Sequence, residues 1–262
     1  MTIADLGDVQ LHYRLDGPED GAPLLLVNSL GTDLRLWDDL LPLLPDGLRI
    51  IRYDKRGHGR SSLPDAPCTM GALVKDAEAL LDHLGQRDAV VVGLSIGGMI
   101  AQGLAVKRLD LVRGLVLSNT AAKIGTRQIW QDRARVVETR GLEPLADGIL
   151  ARWLPPRAQA GPQAARCREM LIAQPARGYA ACCLAIAGTD FYTPTASLRL
   201  PLLGIAGSED RATPPDLVRE TVDLVPGARF CLMRGAGHLP PVDAPSDYAT
   251  ILGDFLREIG HI

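Results

Sequence analysis

Gly93-Leu94-Ser95-Ile96-Gly97 sets a serine between glycines where the apolar run "AVVVGLS" (89–95) gives way to the helical pattern "GMIAQGLAVKRL". At a strand-to-helix corner, neighbours without side chains let strand and helix approach closely, and the corner lifts the serine Oγ into the open as a nucleophile for acyl transfer. The new helix's N-terminus favours negative charge at the same place. A nucleophile of this kind needs a base, an acid that orients the base, and donors for an oxyanion. Of the five histidines, His238 lies in the Gly- and Pro-rich stretch "RGAGHLPPVDAP" after the last apolar run, where a loop can carry an imidazole over Ser95. His58, in "YDKRGHGRS", reads as part of a self-bonded polar turn with Asp54, Arg56 and Ser62; His12, His83 and His261 read as ordinary surface histidines. The acid is expected after the run at 200–207, where "GSEDRATPP" offers Glu209 and Asp210. Asp190 and Asp243 are weaker choices because neither directly follows a strand end. For the oxyanion, the backbone N–H of Ile96 follows the nucleophile, and a second N–H, assigned to Leu30, comes from "NSLGTDLRLWDDL", where Gly31 allows a turn.

Such an arrangement needs a sheet whose strand ends converge. "VQLHYRLDG" (9–17) alternates and reads as an early antiparallel strand. The runs at 23–29, 48–54, 89–95, 112–119, 200–207 and 228–235 are continuously apolar, as suits strands buried on both faces. Helical patterns separate them, notably 70–85 and a closing helix over 246–260 that Ser246 can cap. Residues 121–195 break the alternation: no strand is convincing there, and several short helical patterns are punctuated by Pro and Gly. The fold class is α/β, a mostly parallel central sheet flanked by helices, with residues 1–120 and 196–262 as its core. Residues 121–195 form an inserted helical cap over the strands' C-terminal edge, where open α/β sheets bind ligands.

Composition narrows the partners. The 262 residues suffice for a large core, with 47% apolar and 23% charged residues. A net charge of −3 argues against nucleic acid and acidic membrane surfaces. No run of 18 apolar residues appears, and the N-terminus lacks a basic-then-apolar leader. Five cysteines without a CxxC pair read as reduced, small apolar residues. A cytoplasmic protein acting on a small molecule is the expectation.

Across nearly its whole length the chain resembles the α/β hydrolases, and its motif set is most similar to bacterial 3-oxoadipate enol-lactonases of the β-ketoadipate pathway. The resemblance is carried by "NSLGTDLRLWD", "RYDKRGHGRS", "GLSIGGMIAQ", "GSEDRATPP" and "GAGHLPPVDAP". Many relatives carry His-Gly where Asn28-Ser29 stands here. The family pattern G-x-x-D selects Asp210 over Glu209, and the order Ser95, Asp210, His238 is the order it implies. It further implies hydrolysis of 3-oxoadipate enol-lactone through an acyl-enzyme on Ser95, with neither metal nor cofactor. The substrate's free carboxylate would need a cation in an otherwise apolar pocket. The cap offers Arg127, Arg133 and Arg135; Trp130 and Arg133 share one helix face and are the candidate substrate contacts, whereas Trp153 reads as core. A general carboxylesterase or a cofactor-free perhydrolase shares the same triad, and a small-molecule receptor can share the fold. Dehalogenase and epoxide-hydrolase chemistry would place an aspartate where Ser95 stands.

Overall fold

Apolar side chains pointing to both faces of a strand demand helices on both faces, and the central runs of the chain build that layer arrangement. The computed structural model describes residues 2–262. The strands are β1 (Thr2–Asp5), β2 (Gln10–Asp16), β3 (Ala22–Val27), β4 (Leu48–Tyr53), β5 (Ala89–Leu94), β6 (Val112–Ser118), β7 (Leu202–Gly207) and β8 (Arg229–Met233). They form one sheet in the order β1-β2-β4-β3-β5-β6-β7-β8. β2 is antiparallel to both β1 and β4, and every later pairing is parallel. β5 and β7 are buried at every residue, whereas the edge strand β8 is mostly half-buried or exposed. β1 escaped the sequence reading because "TIAD" buries only Ala4, so it carries almost no apolar signal.

Around the sheet lie α1 (Met70–His83), α2 (Ile96–Lys107), α8 (Pro215–Asp223), the short α9 (Pro240–Asp243) and α10 (Pro245–Glu258). Thr69 caps α1 by accepting the N–H of Ala72. Ser246 does not cap the closing helix as expected. That helix begins at Pro245, whose missing N–H and fixed φ suit a first helical position, with Ala244 before it. Between β6 and β7 the chain inserts α3 (Arg127–Arg140), α4 (Ala146–Trp153), α5 (Pro162–Ile172), α6 (Ala176–Ala187) and α7 (Tyr192–Ala196), and no strand. α3 packs along α6, and α4 against α5. No single helix among the described residues is long and apolar enough to cross a membrane.

The strand order reverses at β3: β4 lies on one side of it and β5 on the other. The loops after β3 and β5 therefore diverge at their C-terminal ends and leave a crevice there. The turn after β4, residues 54–62, runs beneath the loop after β3. Arg56 Nε donates to Asp76 Oδ2 on α1 at 2.6 Å, and both side chains are only 2% exposed. Removing one partner of such a pair strands a buried charge. Asp76→Ala is expected to destabilise the protein by about 3–5 kcal/mol, read as a lower urea midpoint at unchanged slope.

Candidate active site

Gly93 is the last residue but one of β5 and Gly97 the second residue of α2, and neither position tolerates a side chain. A Cβ on Gly93 would lie 2.3 Å from the Gly97 carbonyl oxygen, and one on Gly97 would lie 2.1 Å from the Val27 carbonyl oxygen. Ser95 sits between them at φ +57° and ψ −119°, a left-handed conformation that costs a non-glycine residue about 1–3 kcal/mol. Its N–H donates to Ser118 O at 3.0 Å, which ties the corner to β6. Among the described residues the Ser95 hydroxyl has no hydrogen-bond partner; with His238 it lines a cavity of about 250 Å³ beneath the cap.

His238 is 1% exposed, and its Nδ1 lies 2.8 Å from Asp210 Oδ2. Asp210 is saturated with donors. Oδ1 accepts the backbone N–H groups of Ala212 (2.7 Å) and Thr213 (3.1 Å), and Oδ2 accepts Asn119 Nδ2 and Thr213 Oγ1, both at 2.8 Å. Burial alone would raise the Asp210 carboxyl, but the charge and hydrogen bond of His238, with Asn119 and the Ala212 N–H, hold it below its ordinary value. Glu209 is exposed. Asp190 is exposed and paired with Lys123. Asp243 is buried, yet its Oδ2 accepts the Gly237 N–H at 2.7 Å and so holds the loop that carries His238.

Sequence alone does not single out Asn119 and Thr213. Asn119, at φ +47° after β6, donates to both Asp210 and the Gly237 carbonyl (3.1 Å) and joins the acid to the histidine loop. Its only sequence signal is an Asn at a strand end, a common turn residue. The cap also enters the site: the Trp153 carbonyl accepts the His238 N–H at 2.7 Å. Trp153 is buried as expected of core, but it lines the cavity as well.

The loop after β3 forms the opposite wall. Gly31, at φ +78°, leaves no room for a Cβ, which would lie 2.7 Å from Leu171 and 2.9 Å from Tyr179. The Leu30 N–H has no hydrogen-bond partner among the described residues, and Leu30 lines the cavity beside Ser95. Ile96, as first residue of α2, carries one of the N–H groups a helix leaves unpaired. Asn28 shapes the loop: Nδ2 donates to Tyr53 O, and Oδ1 accepts Trp37 Nε1, each at 2.7 Å. His58 is structural, as its turn suggested, with Nε2 accepting the Gly31 N–H at 3.1 Å. His12 is not a surface histidine. It is 4% exposed, and its Nδ1 lies 2.8 Å from Asp54 Oδ2, because the early strand β2 is covered by the 54–62 turn. His83 is exposed, while His261 is half-buried against Pro23 O.

Of the three cap arginines, only Arg133 faces the cavity. Arg135 pairs with Asp132, and Arg127 borders a separate depression near Lys123. The Arg133 guanidinium lies 5.4 Å from the Trp130 ring centroid and 5.5 Å from that of Tyr179, held between two π faces. Arg152 and Arg211 line the same cavity, and neither has a carboxylate partner among the described residues. Burial and then the Arg133 charge lower the Arg152 guanidinium from its ordinary value, and with Arg211 three guanidinium groups line one space. No sequence signal placed Arg152 there, since α4 reads as a short amphipathic helix.

An eight-stranded sheet of this order, a serine at a left-handed corner and a bonded Asp–His pair at the same edge define an α/β hydrolase. The chain belongs to that family: the model for the alpha/beta hydrolase fold matches residues 22–245. Among curated proteins it is similar to 3-oxoadipate enol-lactonase 2 of Acinetobacter baylyi, 39% identical over 208 residues, which cover 79% of this chain and 78% of that one. A second protein of that organism, 3-oxoadipate enol-lactonase 1, is 31% identical over 95% of this chain and 94% of its own. The crystal structure of the enol-lactonase from Burkholderia xenovorans superposes with a TM-score of 0.94 at 33% identity, covering 98% of this chain and 100% of that one.

The histidine loop carries a pH signature. Burial raises Asp243 from 3.8 to about 6 against the opposing Gly237 hydrogen bond. A carboxyl whose folded value lies above its unfolded one contributes stability below pH 4 that is lost as pH rises through about 6. Asp243→Asn is expected to flatten that decline, on the order of 2–3 kcal/mol, when urea midpoints of both proteins are compared from pH 4 to 7.

Proposed function

We propose that this hydrolase opens 3-oxoadipate enol-lactone, a five-membered enol ester bearing a carboxymethyl group, to 3-oxoadipate. The observation that carries the reading is one cavity lined by Ser95, His238 and Arg133, a cation without a carboxylate partner among the described residues. An ester substrate with a free carboxylate satisfies both ends, and the similarity to enol-lactonases supports the choice of lactone.

In this reading Ser95 Oγ attacks the lactone carbonyl as His238 Nε2 takes its proton, while Asp210 orients the imidazole through Nδ1 and stabilises its charged form. The N–H groups of Leu30 and Ile96 hold the oxyanion, and removal of one such donor typically costs about 2.7–4 kcal/mol. Collapse of the tetrahedral intermediate breaks the ring C–O bond and expels an enolate. His238 returns the proton to that leaving group, which becomes the ketone while still tethered in the acyl-enzyme. His238 then takes a proton from water as it attacks the acyl carbon and returns that proton to Ser95 Oγ as the acyl–oxygen bond breaks and the product carboxylate leaves. Arg133, with Trp130 flanking it, takes the carboxymethyl group, and Arg152 adds a second positive charge to the same wall.

The purified protein is expected to consume the enol-lactone, followed as loss of ultraviolet absorbance, faster than it consumes p-nitrophenyl acetate at equal concentration. Preference for the simple ester would sink the lactone assignment and favour a general carboxylesterase. Ser95→Ala, His238→Ala and Asp210→Asn are each expected to lower kcat by orders of magnitude. Near-normal turnover by Asp210→Asn would move the acid elsewhere. Arg133→Ala should raise KM for the carboxylated lactone and leave KM for a neutral ester unchanged; equal effects on both would reject its role.

A further inference from the structure

Lys55 is 1% exposed and among the described residues belongs to no ion pair, which is an expensive place for an ammonium group. Its Nζ instead donates to two backbone carbonyls, Ser29 O at 2.6 Å and Thr32 O at 3.3 Å. Those carbonyls flank Leu30 and Gly31 on either side. Two further groups of the same turn hold the same loop: His58 Nε2 takes the Gly31 N–H, and Asp54 Oδ1 takes the Leu34 N–H at 2.8 Å. The Ser29 carbonyl also accepts the Thr32 hydroxyl at 2.9 Å, so Lys55 joins a turn that already closes on itself, and among the described residues the Leu30 N–H has no hydrogen-bond partner.

We propose that Lys55 is a positioning residue for acyl transfer, whose ammonium clamps the Ser29 and Thr32 carbonyls so that the Leu30 N–H is fixed toward the oxyanion. The inference rests on the reading of Ser95 as nucleophile and Leu30 as oxyanion donor. Lys55 touches neither substrate nor reacting atoms; it acts through the loop. Charge matters to the clamp because a full positive charge attracts two carbonyl dipoles in a dry interior far more strongly than a neutral amine does.

The charge is kept at a cost to folding. Burial lowers Lys55 from 10.5 to about 8, although Cys182 on α6, Asp54, Asp33 and Cys68 all favour its charged form. The remaining titratable neighbour, His58, is held neutral first by burial and then by the Lys55 charge, so it adds no second cation. Between pH 8 and 10.5 the unfolded chain binds this proton and the folded one does not, so stability contributed through Lys55 rises with pH. Over the start of that window the clamp loses its charge, so kcat should fall while stability rises, a pairing that ordinary alkaline unfolding does not produce.

The test compares wild-type protein with Lys55→Met, which is of similar length and leaves no buried charge. On the hydrolysed ester, Lys55→Met is expected to lower kcat on the order of 10²-fold with KM changed less than about threefold. Wild-type kcat should show an alkaline limb near pH 8 that Lys55→Met lacks, and wild-type urea midpoints should rise between pH 8 and 10 relative to the variant. A folded Lys55→Met with kcat within about twofold of wild type overturns the proposal, as does an alkaline limb that survives the substitution. Should Lys55→Met fail to fold, the wild-type profile decides: kcat flat from pH 7 to 9 overturns the clamp, and a fall with rising stability supports it. Ser95→Ala run in parallel separates the two readings. If it retains activity, the nucleophile assignment has failed; if it is inactive while Lys55→Met is not, only the clamp has.

Discussion

One residue in a left-handed backbone conformation organises this molecule. Ser95 turns the chain sharply from β5 into α2, and the turn exists only because Gly93 and Gly97 let the helix backbone pack against β5 and the end of β3. The strain at a non-glycine residue is stabilised by its surroundings, chiefly a fully buried strand before it and an almost wholly buried helix after it. From that corner follow the accessible hydroxyl, the unpaired N–H groups of α2 beside it, and the need for every partner to arrive from another strand end.

Those partners come from three separate strand ends and are held by polar groups that water does not reach. Asp210 follows β7 and receives Asn119 from the end of β6; His238 follows β8 and is held by its backbone to the cap carbonyl of Trp153. Under the loop after β3, the turn after β4 supplies Asp54, Lys55 and His58, each bonded to a different backbone group of that loop. Buried polar groups of this kind are costly unless satisfied, and once satisfied they allow few alternative arrangements. The motif "RYDKRGHGRS" is therefore less a binding segment than the foundation on which the proposed oxyanion donor rests.

The helical insert supplies one wall of the cavity. α3 brings Trp130 and Arg133, α6 brings Tyr179 beneath the guanidinium, and α4 ends in Arg152 and Trp153. A guanidinium held between two aromatic faces keeps its charge near apolar walls without an internal carboxylate that would compete with a ligand. Arg133, Arg152 and Arg211 make the cavity lining positive, which suits the proposed anionic lactone better than a neutral ester.

Periodicity and punctuation were enough to read the mostly parallel sheet and the helical insertion, because buried strands and Gly-rich corners leave local signatures, whereas the choice of Asp210 beside Ser95 and His238 rests on the resemblance to α/β hydrolases. Strand β1 left none, with one buried residue in four, and the start of α10 was misread at Ser246 because Pro245 already opens the helix. His12 looked like a surface residue and is buried, since its burial depends on a turn more than forty residues away. Asn119, Thr213, Arg152 and Lys55 acquire meaning only from neighbours distant in the chain, which one-dimensional spacing cannot reveal. Residue types and local corners are written along the chain; which buried charge meets which backbone group, and which arginine of several turns toward the cavity, is settled when strand ends and cap are packed together.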